Sequence, residues 1–207
     1  MHTFIYEENL WKNGINYIAC CDEVGRGCLF GPVVAAAVIL KPHQYIDGVK
    51  DSKKLSEKKR ELFYNQIIES AEAVGIGVVP VETIEQINIK NASRLAMKVA
   101  IENLVTIDGK KIVPEALLID AEKVDLPIQQ QAVIRGEDHV HGIAAASIIA
   151  KVTRDRMCLE WHQRFPQYGL DKHKGYGTKS HREAILEYGP SPMHRLSFLT
   201  KILEQKP

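Results

Sequence analysis

The 207-residue sequence predicts a single α/β domain over residues 1–207, built on a mixed sheet, with residues 164–207 as a basic helical C-terminal appendage packed on it. Three observations carry that expectation. Short apolar, β-branched runs are confined to the first two thirds of the chain. The segments between them show apolar residues at helical spacing instead. Beyond residue 164, glycines and prolines separate short stretches of helical character.

Residues 16–21 read as the first strand, ending at Asp22-Glu23, and glycines (Gly25, Gly27, Gly31) and Pro32 punctuate the loop after it. Residues 33–40 form a continuous apolar run too short for a typical helix, hence a second, buried strand. Ser56 can cap a helix over 57–71 that turns Leu62, Phe63, Ile67 and Ile68 to one face. A third strand follows at 74–81, weakened by Gly75 and Gly77. Asn91 or Ser93 opens a helix to about 105, patterned by Leu95, Val99, Ile101 and Leu104. Residues 116–120 form a short strand ending in Asp120, Pro127 lies in the loop beyond it, and 131–134 form a weak further strand. Residues 139–164 make one long helix or two consecutive ones, with Ala144, Ala145 and Ala146 permitting close packing until Pro166 and Gly169 end it. A polar loop at 171–180 leads to short helices at 181–188 and 194–205.

Composition narrows the function classes. No apolar run reaches the roughly 18 residues of a membrane span, and residues 1–12 carry acids and lack an apolar signal core. Cys20, Cys21, Cys28 and Cys158 show neither CxxC spacing nor a secreted framework, so reduced thiols in a cytoplasmic protein are expected, and the chain is separately expected to be monomeric. Net charge is +1, but residues 164–207 hold eight Lys/Arg against four Asp/Glu. A basic quarter beside an acid-richer body suits a polyanion track next to an acidic centre, although a solvated tail would give the same counts. HExxH, GxxxxGK[ST] and GxSxG patterns are all missing, which argues against a zinc site, a nucleotide phosphate loop and a serine nucleophile.

Chemistry concentrates in Asp22-Glu23-Val24-Gly25-Arg26-Gly27. Two adjacent acids at a strand end point to opposite faces, and the glycines clear space or permit positive φ. Arg26 supplies a planar cation suited to phosphate. An ordinary Asp/Gly turn would look the same in isolation. Asp120 closes a buried strand, where α/β sheets place their ligands, although a turn residue is the commoner meaning. Glu137-Asp138 precede a helix, where acids also serve its positive end. Asp155 reads as an ion-pair member on a helix surface. Ser147, Lys151 and Arg154 share one helical face, Lys53 and Lys54 add charge before the helix at 57, and Tyr176 lies between Gly175 and Gly177 in a basic loop. Singly, each of these basic groups is more often a solvated charge. Cys28 has no evident base partner and reads as a buried or half-buried thiol.

Taken together, these segments resemble bacterial ribonuclease HII: Asp22-Glu23-Val24-Gly25-Arg26-Gly27 with Gly31-Pro32-Val33-Val34, then Asp51-Ser52-Lys53-Lys54-Leu55, Ala144 through Lys151 with Val152-Thr153-Arg154-Asp155-Arg156, and His173-Lys174-Gly175-Tyr176-Gly177-Thr178. They span about residues 17–190. The resemblance implies a ribonuclease H-like fold, a five-stranded mixed sheet flanked by helices, with a helical C-terminal portion helping to hold the duplex. Its four acids carry over to Asp22, Glu23, Asp120 and, by spacing to the Ala-Ala-Ser run, Glu137, with Asp138 as the alternative. It implies that Gly25, Arg26 and Gly27 read the 2′-hydroxyl at an RNA–DNA junction and that Tyr176 stacks on the following deoxyribose, with Lys53, Ser147, Lys151 and Arg154 as further substrate contacts.

The sequence departs from the family pattern at Val24 (alanine usual), Cys28 (proline usual), Ala121 (glycine often) and Glu137 (aspartate expected). Ribonuclease HIII shares Asp-Glu-Val and a glutamate fourth acid, but it lacks the Gly-Arg-Gly reader. The implied substrates are RNA–DNA hybrids and duplex DNA containing ribonucleotides, with Mg2+ or Mn2+ as cofactor, and the implied products carry 3′-hydroxyl and 5′-phosphate ends. Two other readings stand beside it: a different metal nuclease on this fold, which would not need Gly25-Arg26-Gly27 or Tyr176, and a non-catalytic nucleic-acid-binding protein with relict acids.

Overall fold

The structure is a computed structural model describing residues 4–204. In chain order its elements are α1 (Ile5–Lys12), β1 (Ile18–Val24), β2 (Val33–Ile39), a 3-10 turn (Ser52–Lys54), α2 (Glu57–Ser70), β3 (Ala73–Val79) and α3 (Val81–Glu102). There follow β4 (Ala116–Asp120), β5 (Gln129–Val133), α4 (Gly136–His139), α5 (His141–Arg164), a second 3-10 turn (Pro166–Tyr168), α6 (Leu170–His173), α7 (Lys179–Tyr188) and α8 (Leu196–Leu203). The five strands form one mixed sheet in the order β3-β2-β1-β4-β5. β1 lies at its centre, antiparallel to β2 and parallel to β4.

Strand alternation sorts the core into two layers. Ala19 and Cys21 of β1, Ala35 and Ala37 of β2, and Leu117 and Ile119 of β4 face α3. Ala36 and Val38 of β2 face α5 and α2, where Ala144, Ala145, Ala146, Phe63 and Ile67 complete the opposite layer. Gly75 and Gly77, which weaken the strand pattern, are needed by the packing. A Cβ at Gly75 would stand 2.1 Å from the Ala100 carbonyl, and one at Gly77 would stand 2.0 Å from that of Ala96. Only glycine lets the α3 backbone lie directly on β3.

Most departures from the sequence reading occur at element ends. β1 continues through both acids to Val24, because Asp22 and Glu23 pair with Ala36 and Ala35 across the sheet. Helix α3 begins at Val81, well before Asn91, and turns sharply at Asn88, whose φ is +65°. The Asn88 side chain accepts from the Lys90 and Asn91 N–H groups, so it recaps the second part of the helix. The expected 139–164 helix is α5, which begins at His141 and is separated at Val140 from the short α4 before it. Helix α1, which carried no clear signal, packs Tyr6, Leu10 and Trp11 beside Ile18 and Cys20. Helix α6 occupies part of the expected polar loop, and α8 starts only at Leu196. The expected end of that last helix at 205 lies outside the described residues.

The C-terminal elements grip the loop after β1. The Leu29 N–H donates to the Gly175 carbonyl (2.8 Å), Gly31 N–H to Met193 (2.8 Å) and Arg195 N–H to Leu29 (2.9 Å). Phe30, fully buried, packs among Trp161, Phe165 and Tyr168. No helix among the described residues is long and apolar enough to cross a membrane. All four cysteines are free and buried.

Candidate active site

The parallel pairing of β1 with β4 brings Asp22 and Asp120 to the same end of the sheet. Because the two acids of β1 alternate, Asp22 faces α5 and Glu23 faces the α3 side. Burial pushes the Asp22 carboxyl well above the usual carboxylate range, and Glu23 and Asp120 add repulsion. Hydrogen bonds from Ser147 and from the Glu23 N–H (2.8 Å) oppose this shift. Ser147 is itself held by Ser52, with the two hydroxyls 2.8 Å apart.

Glu23 is also raised by burial, against the pull of Arg26, whose Nη1 lies 2.9 Å from Glu23 Oε1. The other oxygen, Glu23 Oε2, is buried with no hydrogen-bond partner among the described residues. Burial lifts Asp120 to about 6; the Gly136 N–H (2.7 Å) works against the shift, and Glu137 adds to it.

Glu137 and Asp138 are adjacent but have opposite surroundings. Glu137 is hydrogen-bonded to Asp120 and lies 3.9 Å from the exposed Lys53. Asp138 turns away to Lys54 and to Arg135 (2.6 Å), which hold its carboxyl down at about 2. The structure therefore sets Glu137, not Asp138, against the other acids.

Several buried carboxyls kept above their normal range, one with an unpartnered oxygen, are the environment a hard cation would relieve. Among the described residues no three acidic, histidine or cysteine side chains close into a cage. Ions that keep several waters need only one or two carboxylates each, so the donor set fits Mg2+ or Mn2+ without a cage.

Beside the acids runs the loop of Gly25, Arg26 and Gly27. Gly25 has φ +92°, and a Cβ there would meet Arg154 Nε at 2.4 Å, so both its conformation and its packing require glycine. A Cβ at Gly27 would point into open space. Tyr176 pairs its backbone with Cys28, and the residue is 40% exposed at the surface.

The sequence pattern that defines ribonuclease HII matches residues 19–201. This chain belongs to the ribonuclease HII family. It is 60% identical to the ribonuclease HII of Alkaliphilus oremlandii over 203 residues, covering 98% of this chain and all of that one. Its fold is shared with the ribonuclease H2 of Pyrococcus horikoshii OT3, at a TM-score of 0.73 and 24% identity over 91% of this chain and 98% of that one. It is also shared with Bst-RNase HIII solved in complex with Mn2+, at a TM-score of 0.65 and 19% identity over 94% and 72%. As a ribonuclease HII, the chain is a hydrolase with ribonuclease H endonuclease activity, and the substrate class is the RNA–DNA hybrid.

Within this ribonuclease HII, two sequence expectations need correction. Arg154 does not present its guanidinium to a phosphate. It is fully buried and donates to the carbonyls of Pro32 (3.2 Å), Phe30 (2.8 Å) and Lys174 (2.7 Å). Asp155 is not a surface residue. It is buried between Lys151 (2.7 Å) and Arg60 (3.8 Å), which also commits Lys151 to an interior ion pair.

Glu122 was missed. It ties Arg94 (2.9 Å) to Arg26 (3.8 Å) across the loop after β4. Its signal was only its place two residues past Asp120. Ala121 between them holds φ +49°, the left-handed conformation that glycine adopts without penalty. Arg195 was also missed: it counted toward the basic tail but lies wholly inside.

Proposed function

We propose that this ribonuclease HII cuts the strand 5′ to a single ribonucleotide embedded in duplex DNA, as well as RNA–DNA hybrids, leaving 3′-hydroxyl and 5′-phosphate ends. The observation that carries this reading is the gathering of Asp22, Glu23, Asp120 and Glu137, the first three raised by burial, beside a glycine–arginine–glycine loop that exposes Arg26 and Gly27. Those four carboxylates would hold two divalent cations, Mg2+ or Mn2+. When bound, such ions lower the pKa of an attacking water and stabilise charge on the leaving oxygen.

The chain's own groups set where that chemistry falls. The backbone around Gly25 and Gly27, with Arg26, meets the 2′-hydroxyl and its phosphate, which DNA cannot offer in the same form. Tyr176, a half-exposed residue, stacks its ring against the next sugar. Exposed Lys53 meets a backbone phosphate, making binding salt-dependent. Ser147 acts through Asp22, and Lys151, 5.9 Å over the Tyr176 ring, supports that ring. The enzyme works as a monomer in the cytoplasm on this reading.

A labelled DNA duplex with one ribonucleotide tests it, incubated with and without Mg2+ or Mn2+. A single cut 5′ to the ribonucleotide is expected with either ion, and none in Asp22→Asn. Equal cutting of an all-DNA duplex, or no cutting with either ion, would overturn it.

A further inference from the structure

Two neighbouring residues outside the acidic centre, His194 and Arg195, reach both groups that face the substrate. His181 Nδ1 lies 2.9 Å from the Tyr176 carbonyl, which can only accept, so Nδ1 carries the proton. His181 Nε2 is then a bare acceptor, and His194 Nε2, 3.2 Å away, must donate to it. That leaves His194 Nδ1 bare, and it accepts from the Ser191 N–H and hydroxyl, both at 2.9 Å. One tautomer pattern satisfies every partner from Ser191 to Tyr176. Both rings are buried, and His173 stacks on His181 with centroids 4.3 Å apart.

Arg195 continues the arrangement on the other side. Buried as well, it donates from Nε to the Gly31 carbonyl (2.9 Å) and from Nη1 to the carbonyl of Arg26 itself (3.0 Å). One residue step thus ties the Tyr176 loop, through two imidazoles, to the Arg26 loop, through a guanidinium.

We infer that His181, His194 and Arg195 are positioning residues that fix the spacing between Arg26 and Tyr176, so that the enzyme accepts one sugar–phosphate register at the junction. The inference rests on the proposed role of Arg26 and Tyr176 as junction readers. Duplex DNA with one ribonucleotide offers a single productive register and is sensitive to that spacing. A hybrid with an all-RNA strand offers many and is not. Neutral rings are built in: protonating either would set two N–H groups face to face. Burial accordingly draws both His181 and His194 down to about 4.

The test compares wild type, His181→Ala and His181→Asn on the two substrates. Asparagine keeps a donor near the Nδ1 position and so retains the bond to Tyr176. The alanine variant should lose roughly 10-fold in kcat/KM on the single-ribonucleotide duplex, as expected for one hydrogen bond. The loss should fall mainly in KM and be about 3-fold or less on the all-RNA hybrid, with asparagine recovering most of it. Imidazole nitrogen NMR shifts at about pH 6 should show neutral His181 protonated at Nδ1 and neutral His194 at Nε2. The opposite tautomers, or equal losses on both substrates in His181→Ala, would overturn the inference, as would His181→Asn no better than His181→Ala. Arg26→Ala and Tyr176→Ala run alongside. If they discriminate and His181→Ala does not, only the positioning role fails; if they lose equally on both substrates, the junction reading fails with it.

Discussion

The acidic end of the sheet and the loop beside it handle buried charge in opposite ways. Asp22, Glu23 and Asp120 are anions held where burial and mutual repulsion disfavour their charge. Arg154 and Arg195 are cations buried against the loop that follows β1, and their short hydrogen bonds go to backbone carbonyls. The carboxylates keep lone pairs in reserve for a visitor. The arginines direct most of their donors to the chain itself, although Arg195 Nη2 finds no partner among the described residues, and burial draws Arg195 down to about 10. One region is built to change its occupant and the other to stay in place, so substitutions in the two should fail differently.

The largest effect belongs to the acids. Asp22→Asn or Asp120→Asn should cut turnover by at least about 10²- to 10³-fold, the usual loss for one group that stabilises transition-state charge. The metal-free variants should nevertheless melt no lower than wild type, because a repelled buried charge has been removed. Calorimetry beside a cleavage assay checks both halves; a large fall in melting temperature would contradict the contrast.

Arg154→Met should show the reverse pattern. It leaves the Phe30, Pro32 and Lys174 carbonyls without their donor, at about 1–3 kcal/mol for each that stays unsatisfied. A fall of about 3 kcal/mol or more in denaturant unfolding is expected, and a variant as stable as wild type would show that the loops do not depend on this residue.

Next comes the pair at the start of α4. Glu137→Ala should raise the Mn2+ concentration for half-maximal activity by about 10-fold, one lost ligand of modest strength. Asp138→Ala should change it by less than about 2-fold, as expected for a surface ion pair. A titration that ranks them the other way would move the fourth acid by one residue.

The last contrast is with pH. His181 and His194 lie near 4 in the folded chain but titrate near their ordinary value of 6.5 once unfolded. The unfolded chain therefore takes up protons first as acid is added. Their contribution to stability is complete above 6.5 and is lost progressively as pH falls toward 4. His181→Asn should flatten the stability profile over that interval; an unchanged slope would place the titration elsewhere.

Much of this was legible in the sequence. Continuous apolar runs marked β2 and β4, and Ser56 marked the start of α2, where its side chain accepts from Lys59 N–H. Adjacent acids followed by glycines marked the site. What escaped depends on approach in three dimensions. Gly75 and Gly77 look like defects until the backbone of α3 is laid on them. Arg154, Arg195 and Asp155 look like surface charges, because composition cannot show that their partners lie on the loop after β1, the loop before α7, or α2. Glu137 and Asp138 could not be separated by spacing alone, and only the direction of each side chain divides them.

The parallel pairing of β1 with β4 also sets when activity can appear. These strands are widely separated in the chain, and parallel contacts of such high contact order are the slow ones to form. Asp22 can meet Asp120 only after β4 has docked, and Glu137 only after the chain has continued past β5. A partly synthesised or partly refolded molecule therefore carries every acid of its N-terminal strand but not the assembled acidic cluster proposed as the active site. In a refolding time course, cleavage should return with the slowest structural phase, after helical signal has recovered. The topology works as a built-in delay, withholding a nucleic-acid-cutting activity until the molecule is whole.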